Sequence, residues 1–114
     1  MREPQYYGDY DKQITFTVTL SGTSVNQNIE AGYICLIRRI EINANASGNW
    51  RFKLYDDDAR TKLAYDTEET DASNFVELTP LVYVDRDNGQ YMHWTIEGND
   101  GDSFTVTIDL VRMA

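Results

Sequence analysis

The stretch from Tyr91 to Arg112 constrains the fold more strongly than any other part of this chain. Each of its two halves alternates apolar with polar residues. Residues 98–102, with the sequence GNDGD, separate the halves. Period-two alternation on both sides of a Gly/Asn/Asp cluster predicts an antiparallel hairpin with one face in water. The predicted inner face consists of Met92, Trp94, Ile96, Phe104, Val106, Ile108 and Leu110.

The same alternation predicts further strands. Residues 12–20 and 50–56 alternate clearly, and residues 62–65 form a shorter candidate. Residues 75–84 are extended, but Pro80 in their middle predicts two pieces or an edge strand, because proline cannot donate to a ladder. The expected inner residues of the first two strands are Ile14, Phe16, Val18 and Leu20, and Trp50, Phe52 and Leu54.

The most apolar strand is predicted at residues 33–43, after a polar segment at 25–31 that is interpreted as irregular. Arg38 and Arg39 interrupt the strand, so one of them would point inward unless a β-bulge resets the register. Either a bulge leaves both arginines in solvent, or one of them pairs with an acidic loop or a neighbouring chain. One face is expected to carry Ile34, Leu36, Ile40 and Ile42, and the other Cys35 and Ile37.

Together these segments predict the architecture. All seven glycines lie between strand candidates or in the N-terminal segment, and no amphipathic helix is evident. The sequence therefore predicts an all-β fold, an antiparallel β-sandwich of about seven or eight strands that is jelly-roll-like. The strand order stays open, because Greek-key and meander connections give the same pattern. Residues 1–11 are interpreted as an N-terminal arm and residues 12–114 as a single β-sandwich domain.

The arm contains Tyr6, Tyr7 and Tyr10. It is either a loosely docked terminus or an arm that docks on another subunit, since tyrosine offers apolar area and a hydroxyl at low entropic cost. Residues 1–5 lack the apolar core of a signal peptide. No apolar run approaches the roughly 18–20 residues of a membrane span, so no membrane partner is expected. The single cysteine, Cys35, favours a compartment in which disulfides are not used.

The charge of the chain is strongly acidic and unevenly distributed. The net charge is −9 at pH 7. Residues 1–53 carry six basic and five acidic side chains, whereas residues 54–114 carry four and fourteen. Such a chain repels phosphate backbones, so nucleic acid is not expected as a partner.

No catalytic constellation is evident, and the chain is predicted not to be an enzyme. His93, the only histidine, lies on the polar face of its predicted strand, and nothing in the sequence ties it to Cys35. Acidic turns at residues 56–58, 85–88 and 100–102 are either ordinary β-turns or calcium ligands. The turn interpretation is preferred, so neither a metal nor a cofactor is predicted. Tyr55, Tyr83 and Tyr91 are free to line a ligand groove or a subunit interface.

Four segments resemble a pattern in small all-β virion proteins of tailed bacteriophages. They are residues 35–42 (CLIRRIEI), 49–63 (NWRFKLYDDDARTKL), 81–88 (LVYVDRDN) and 104–108 (FTVTI). The resemblance covers residues 33–112 and carries no catalytic signature. It implies a jelly-roll-like accessory protein of a phage head or tail, such as a decoration (cement) protein or an appendage domain. It also implies a homotrimer.

These considerations lead to one functional hypothesis and an alternative. The chain is expected to be a non-enzymatic virion protein, assembled in the host cytoplasm, that decorates the capsid as a homo-oligomer bound to a major capsid or other virion protein. The alternative is a carbohydrate- or receptor-binding sandwich of a tail or appendage, with calcium as a possible aid. The expected interface residues are Tyr6, Tyr7, Tyr10, Arg38, Arg39, Tyr91 and His93.

Overall fold

The computed structural model describes residues 10–31, 34–77, 81–83 and 91–112. These residues form nine strands and no helix, so none of them belongs to a helix that could cross a membrane. The strands are β1 (Tyr10–Thr19), β2 (Ser24–Glu30), β3 (Ile34–Asn45), β4 (Arg51–Tyr55), β5 (Leu63–Asp66), β6 (Asn74–Glu77), β7 (Leu81–Tyr83), β8 (Tyr91–Glu97) and β9 (Ser103–Arg112).

The strands form two antiparallel sheets that pack as a sandwich. The five-stranded sheet has the order β1-β9-β3-β6, with β7 also paired to β3, and the four-stranded sheet has the order β2-β8-β4-β5. The chain changes sheet at every connection except β4–β5 and β6–β7. This alternation is the jelly-roll topology, so the predicted fold class is confirmed and the open question of strand order is answered.

Strands β6 and β7 occupy one edge position beside β3. β6 pairs with residues Arg39 to Ile42, and β7 pairs with residues Ile34 to Leu36. The prediction of two pieces at an edge is therefore confirmed, although Pro80 itself lies outside the described residues. Counting the pair as one position gives the eight positions of a jelly roll.

The predicted terminal hairpin is wrong in its pairing. β8 pairs with β2 and β4, and β9 pairs with β1 and β3, so the two strands lie in different sheets. Their apolar faces nevertheless meet in the core, as the alternation predicted. Local alternation identifies the inner face of each strand, but it does not distinguish a partner in the same sheet from one across the sandwich.

The core lies between the sheets and is almost entirely apolar. Phe104 packs against Trp50 with ring centroids 5.3 Å apart, and Phe52 packs against Trp94 at 6.3 Å. The residues buried in this cluster are Leu20, Ile29, Ala31, Cys35, Ile37, Ile40, Ile42, Trp50, Phe52, Leu54, Met92, Trp94, Ile96, Phe104, Val106, Ile108 and Leu110.

A β-bulge at Arg38 sets the register of β3. Ile37 pairs with Leu110, and Arg39 pairs with Asp109, so Arg38 is the extra residue. The bulge lets Ile37 and Ile40 both enter the core while Arg38 stays exposed. It also corrects the predicted faces: Cys35 and Ile37 share the core face with Ile40 and Ile42, and Leu36 lies on the other face, because the register shifts at the bulge.

Two strand boundaries differ from the prediction. β1 begins at Tyr10, whose backbone pairs with Arg112, so the ladder starts inside the segment predicted as an arm. β2 forms where residues 25–31 were interpreted as irregular, and this interpretation was wrong. The polar residues of this edge strand lie largely in solvent while Ile29 enters the core, which explains the weak apolar signal. The predicted short strand at residues 62–65 is confirmed as β5.

The bulge makes a specific prediction about deletions in β3. Deleting Arg38 leaves Ile37, Arg39 and Ile40 in regular alternation, so the free energy of unfolding should change by no more than about 1 kcal/mol. Deleting Glu41 turns Ile42 outward, so it should cost about 3–5 kcal/mol, as expected for a lost core side chain. Urea denaturation of the two deletion variants measures both values. Equal losses in the two variants would contradict the assigned bulge.

Candidate functional site

His93 lies on the outer face of the four-stranded sheet. It projects from β8 between Asn28 of β2 and Tyr55 of β4, its partners in register. Its side chain is half-buried, and its Nε2 atom is buried without a hydrogen-bond partner. Tyr91, two residues earlier on the same strand, is 38% exposed. The structure thus places two of the predicted interface residues side by side on one face.

The β4–β5 loop, residues 56–62, is held by one buried carboxylate. Asp57 is 5% exposed and accepts hydrogen bonds from the Thr61 hydroxyl, the Thr61 N–H at 3.0 Å and the Lys62 N–H at 2.9 Å. Burial acts to raise the pKa of the Asp57 carboxyl, but these hydrogen bonds outweigh burial and lower the pKa. Asp57 therefore serves as the anchor of a tight turn.

Arg60 extends from this loop across the sheet. Its backbone has a left-handed φ of 58°. Its guanidinium donates hydrogen bonds to the backbone carbonyls of Asp58 at 3.3 Å and of Gln27, on β2, at 3.4 Å. The anchored turn thereby places a positive charge near His93 and connects the loop to the edge of the sheet.

Two effects lower the pKa of His93. Burial disfavours the imidazolium, and the positive charge of Arg60 acts in the same direction, while Asp58 and Asp57 oppose them. His93 is consequently neutral at pH 7, with one ring nitrogen able to accept and the other able to donate a hydrogen bond. Asp57 is buried in the turn and the His93 Nε2 atom is buried as well, so the partly exposed Arg60 and the rest of the His93 side chain form the surface of this cluster.

Cys35 does not complete a catalytic pair with His93. The thiol is in the core, where its Sγ lies 4.0 Å from the sulfur of Met92. Burial raises the pKa of Cys35 to about 11, so the thiol is protonated at neutral pH. His93 projects on the opposite side of the four-stranded sheet, away from that core.

The two predicted arginines lie on the other face of the sandwich. Arg39 forms ion pairs with Glu41 at 3.2 Å and Asp109 at 3.6 Å on the outer face of the five-stranded sheet. Arg38 is exposed at the bulge. These arginines therefore cannot share one flat surface with Tyr91 and His93. Tyr6 and Tyr7, and the side chain of Tyr10, lie outside the described residues.

The acidic turns that the structure describes serve the fold. Asp102 is 3% exposed and accepts hydrogen bonds from the Ser47 N–H at 3.0 Å and the Asn99 N–H at 2.9 Å, and these bonds lower its pKa. Asp100 accepts a bond of 2.9 Å from the Gly22 N–H. Within the described ranges, no three His, Cys, Asp or Glu side chains could hold a metal ion together. The turn at 85–88 lies outside those ranges.

A polar hollow of about 430 Å³ opens at one end of the four-stranded sheet. Arg51 lies in it and is paired with Asp66, whose carboxylate accepts from the Arg51 Nε at 2.9 Å. The hydrogen bond from Arg51 lowers the pKa of Asp66, and that bond also raises the pKa of Arg51. The other lining residues are Thr23, Ser24, Asn49, Trp50, Glu69, Glu97 and Gly98.

The sequence analysis predicted His93 and Tyr91 as interface residues, but it did not predict that Arg60 lies beside His93. Residues 56–58 were noted for their carboxylates, whereas the important relation is between Asp57 and Thr61, four residues later. A carboxylate that accepts hydrogen bonds from backbone N–H groups shortly after it in the chain is typical of Asp in turns. The approach of Arg60 to Gln27 joins residues 33 positions apart and has no local signal.

Comparison with known proteins identifies no family. No protein-family model matches the chain, and no curated protein matches it. Solved structures that it resembles include PliG of Aeromonas hydrophila, a periplasmic inhibitor of g-type lysozyme, with 9% identity, a TM-score of 0.41 and coverage of 97% of this chain and 91% of that chain. Another is Peruvianin-I, a cysteine peptidase from Thevetia peruviana latex, with 13% identity and a TM-score of 0.42; the match covers 95% of this chain and 64% of that chain. A third is a protein of Bacillus endospore appendages, which form disulfide-linked pili, with 10% identity and a TM-score of 0.43; the match covers 93% of this chain and 91% of that chain. At these values the likenesses carry no functional argument.

Asp57 should make stability depend on pH. Replacing Asp57→Asn should lower the free energy of unfolding at pH 7 by about 1–3 kcal/mol, because buried hydrogen bonds to a carboxylate are weakened. The native pKa is lowered, so this stabilisation is present above the unfolded value of about 3.9 and is lost as the pH falls below it. Denaturation between pH 7 and pH 3 should show the two proteins converge. Asp58→Asn, at an exposed position, is the control and should have little effect.

Arg60 should add to the effect of burial in lowering the pKa of His93. Because His93 is the only histidine, its NMR titration can be read directly. The parent pKa should lie below the unfolded value of about 6.5, and Arg60→Gln should raise it, whereas Arg60→Lys, which keeps the charge, should not. The contribution of neutral His93 to the free energy of unfolding should be fully present above about pH 6.5. It should decrease as the pH falls below that value, because the unfolded state binds the proton more tightly than the folded state. A parent pKa at or above the unfolded value would contradict the described environment.

Proposed function

We propose that this chain is a non-enzymatic accessory protein of a tailed-bacteriophage particle that decorates the capsid shell as a homo-oligomer. The observation that supports this most is the strand order. A jelly roll with β8 and β9 central in opposite sheets is a rigid two-layer body, and such sandwiches form viral capsid domains among others. The sequence resemblance over residues 33–112 supports the same proposal.

The anchored turns add support, because a protein that acts by contact benefits from surfaces that are ordered before binding. Asp57 fixes the β4–β5 loop, and Asp102 ties the β8–β9 connection to Ser47. A pre-ordered surface loses less conformational entropy when a partner binds. These carboxylates thus favour mechanical recognition over metal binding.

The placement of the candidate contact residues fits a protein that bridges neighbours. Arg38 lies on one outer face, and Tyr91 and His93 lie on the other. One protomer can therefore touch a shell protein with one face and a second copy with the other. Several weak contacts of this kind combine into strong attachment through a high effective concentration.

A carbohydrate- or receptor-binding module of a tail or appendage is the second candidate. The polar hollow beside Arg51 favours it, because its carboxylates, amides and guanidinium can bond to hydroxyl groups.

The direct test uses capsids of the phage that encodes the chain, assembled without it. The full chain should sediment with these capsids and should have the molar mass of a trimer by light scattering. Removing residues 2–9, which leaves the ladder from Tyr10 onward intact, should weaken both properties. Arg38→Glu and Tyr91→Ala, on opposite faces, should each weaken capsid binding about tenfold, the effect of roughly 1.4 kcal/mol.

The control is Glu97→Gln, an exposed position on the same face as Tyr91 but at the other end of β8, which should bind as the parent does. A monomer that does not sediment with capsids would contradict the proposal. If the same monomer bound glycans on an array, with Glu97→Gln weakening that binding, the second candidate would take its place.

A further inference from the structure

Among the residues that the structure describes, the sandwich is open along one side, between its edge strands β1 and β2. Ile14, Phe16 and Val18 point from β1 towards the core, but all three remain partly exposed. Val106 and Ile108, at matching positions on the neighbouring strand β9, are fully buried. The residues of this side therefore leave apolar surface uncovered, in a cleft of about 290 Å³.

An aromatic stack forms one wall of this cleft, referred to below as the edge cleft. The rings of Phe16 and Trp94 lie 4.5 Å apart with an interplanar angle of 13°. Trp94 is 3% exposed and also packs against Phe52, so it is held firmly. A stacked pair of this kind offers flat apolar surface beside which a further ring can pack. The edge cleft is lined by Ile14, Phe16, Thr17, Val18, Gln27, Asn28, Ile29 and Trp94.

The edge cleft has a limited length. At one end the Lys12 Nζ bridges β1 to β2, at 3.3 Å from the Glu30 carbonyl and 3.7 Å from the Glu30 carboxylate. At the other end the chain passes from β1 to β2 through Leu20, which is buried. The lining from Ile14 to Val18 spans about 13 Å at the rise of a β-strand. The space accommodates one or two rings and not a long chain.

The chemistry of the lining limits what can bind. None of the described residues that line the edge cleft carries a charge. Gln27, which lies on the inner side of β2 in register with Trp94, supplies an amide group at the rim. Burying a charged ligand against this apolar wall would leave the charge without a partner, which is costly. A neutral ligand with one hydrogen-bonding group avoids that cost.

We propose that the edge cleft binds a small, uncharged aromatic molecule that carries a hydrogen-bonding group. A dry apolar cavity of about 150 Å³ suffices to hold benzene, so the larger edge cleft suits two fused rings. The ring packs beside Phe16 and Trp94, and its polar group bonds to the Gln27 amide at the rim. This site is independent of the proposed attachment to a capsid, because it uses the open side between the sheets and neither outer face.

Indole titrated into the full-length chain is the probe, followed by two-dimensional NMR of the backbone and indole N–H groups. The chain has two tryptophans. The signal of Trp94 should move and saturate, whereas that of Trp50, which packs against Phe104 elsewhere in the core, should stay in place. Indole-3-carboxylate, which is anionic, should bind about tenfold more weakly. Absence of a saturable change at Trp94, or equal binding of the two probes, would overturn the proposal.

Variants distinguish the edge cleft from general binding to the surface. Val18→Phe should fill the cleft and abolish the movement of Trp94. Thr15→Val, on the other face of the same strand, is the matched control and should bind indole as the parent does. Gln27→Glu is a second variant that does not depend on core packing, because Gln27 is exposed, and it should weaken binding of the anionic probe further. Unchanged indole binding by a folded Val18→Phe protein would overturn the proposal.

Discussion

The apolar core that the two central strands, β8 and β9, share between the sheets is the feature on which the rest of the structure depends. Each strand is central in its own sheet, so the inner residues of both contact neighbours on every side. Burying one large apolar side chain contributes about 1.5–3 kcal/mol. The two strands are consecutive in the chain, but they join the sheets only through the short connection that Asp102 fixes to Ser47. The neighbours of β8 in its sheet are β2 and β4, and those of β9 are β1 and β3.

This arrangement explains which features could be predicted from the sequence. Alternation identified the inner residues of β4, β8 and β9, because a strand with one face in a core must alternate wherever it occurs. It also located the irregularity at Arg38, which the register confirms as a bulge. Pairing could not be predicted in the same way. The partner of β8 depends on residues far away in the sequence, and the predicted hairpin failed for that reason.

In the candidate site, too, the features set by local alternation could be predicted from the sequence, whereas those that depend on distant residues could not. His93 and Tyr91 could be placed on an outer face by alternation alone, and the structure has them there. The approach of Arg60 depends on a turn whose anchor, Asp57, had been grouped with the other carboxylates as a possible metal ligand. Edge strand β2 was missed because a strand beside an open cleft does not need a continuous apolar face. Sequence patterns are thus weakest at edges and in loops, where binding surfaces usually lie.

The acidic residues connect the fold to the proposed function. Asp57 and Asp102 are buried in loops, where each accepts hydrogen bonds from two backbone N–H groups and so fixes the conformation of its loop. The central claim is that the outer faces of the sandwich serve a phage particle. Quantitative mass spectrometry of purified particles, from the phage that encodes the chain, tests it most directly. The account predicts that the chain is present in a fixed ratio to the major capsid protein and in a multiple of three copies per particle. Its absence from purified particles would contradict the account.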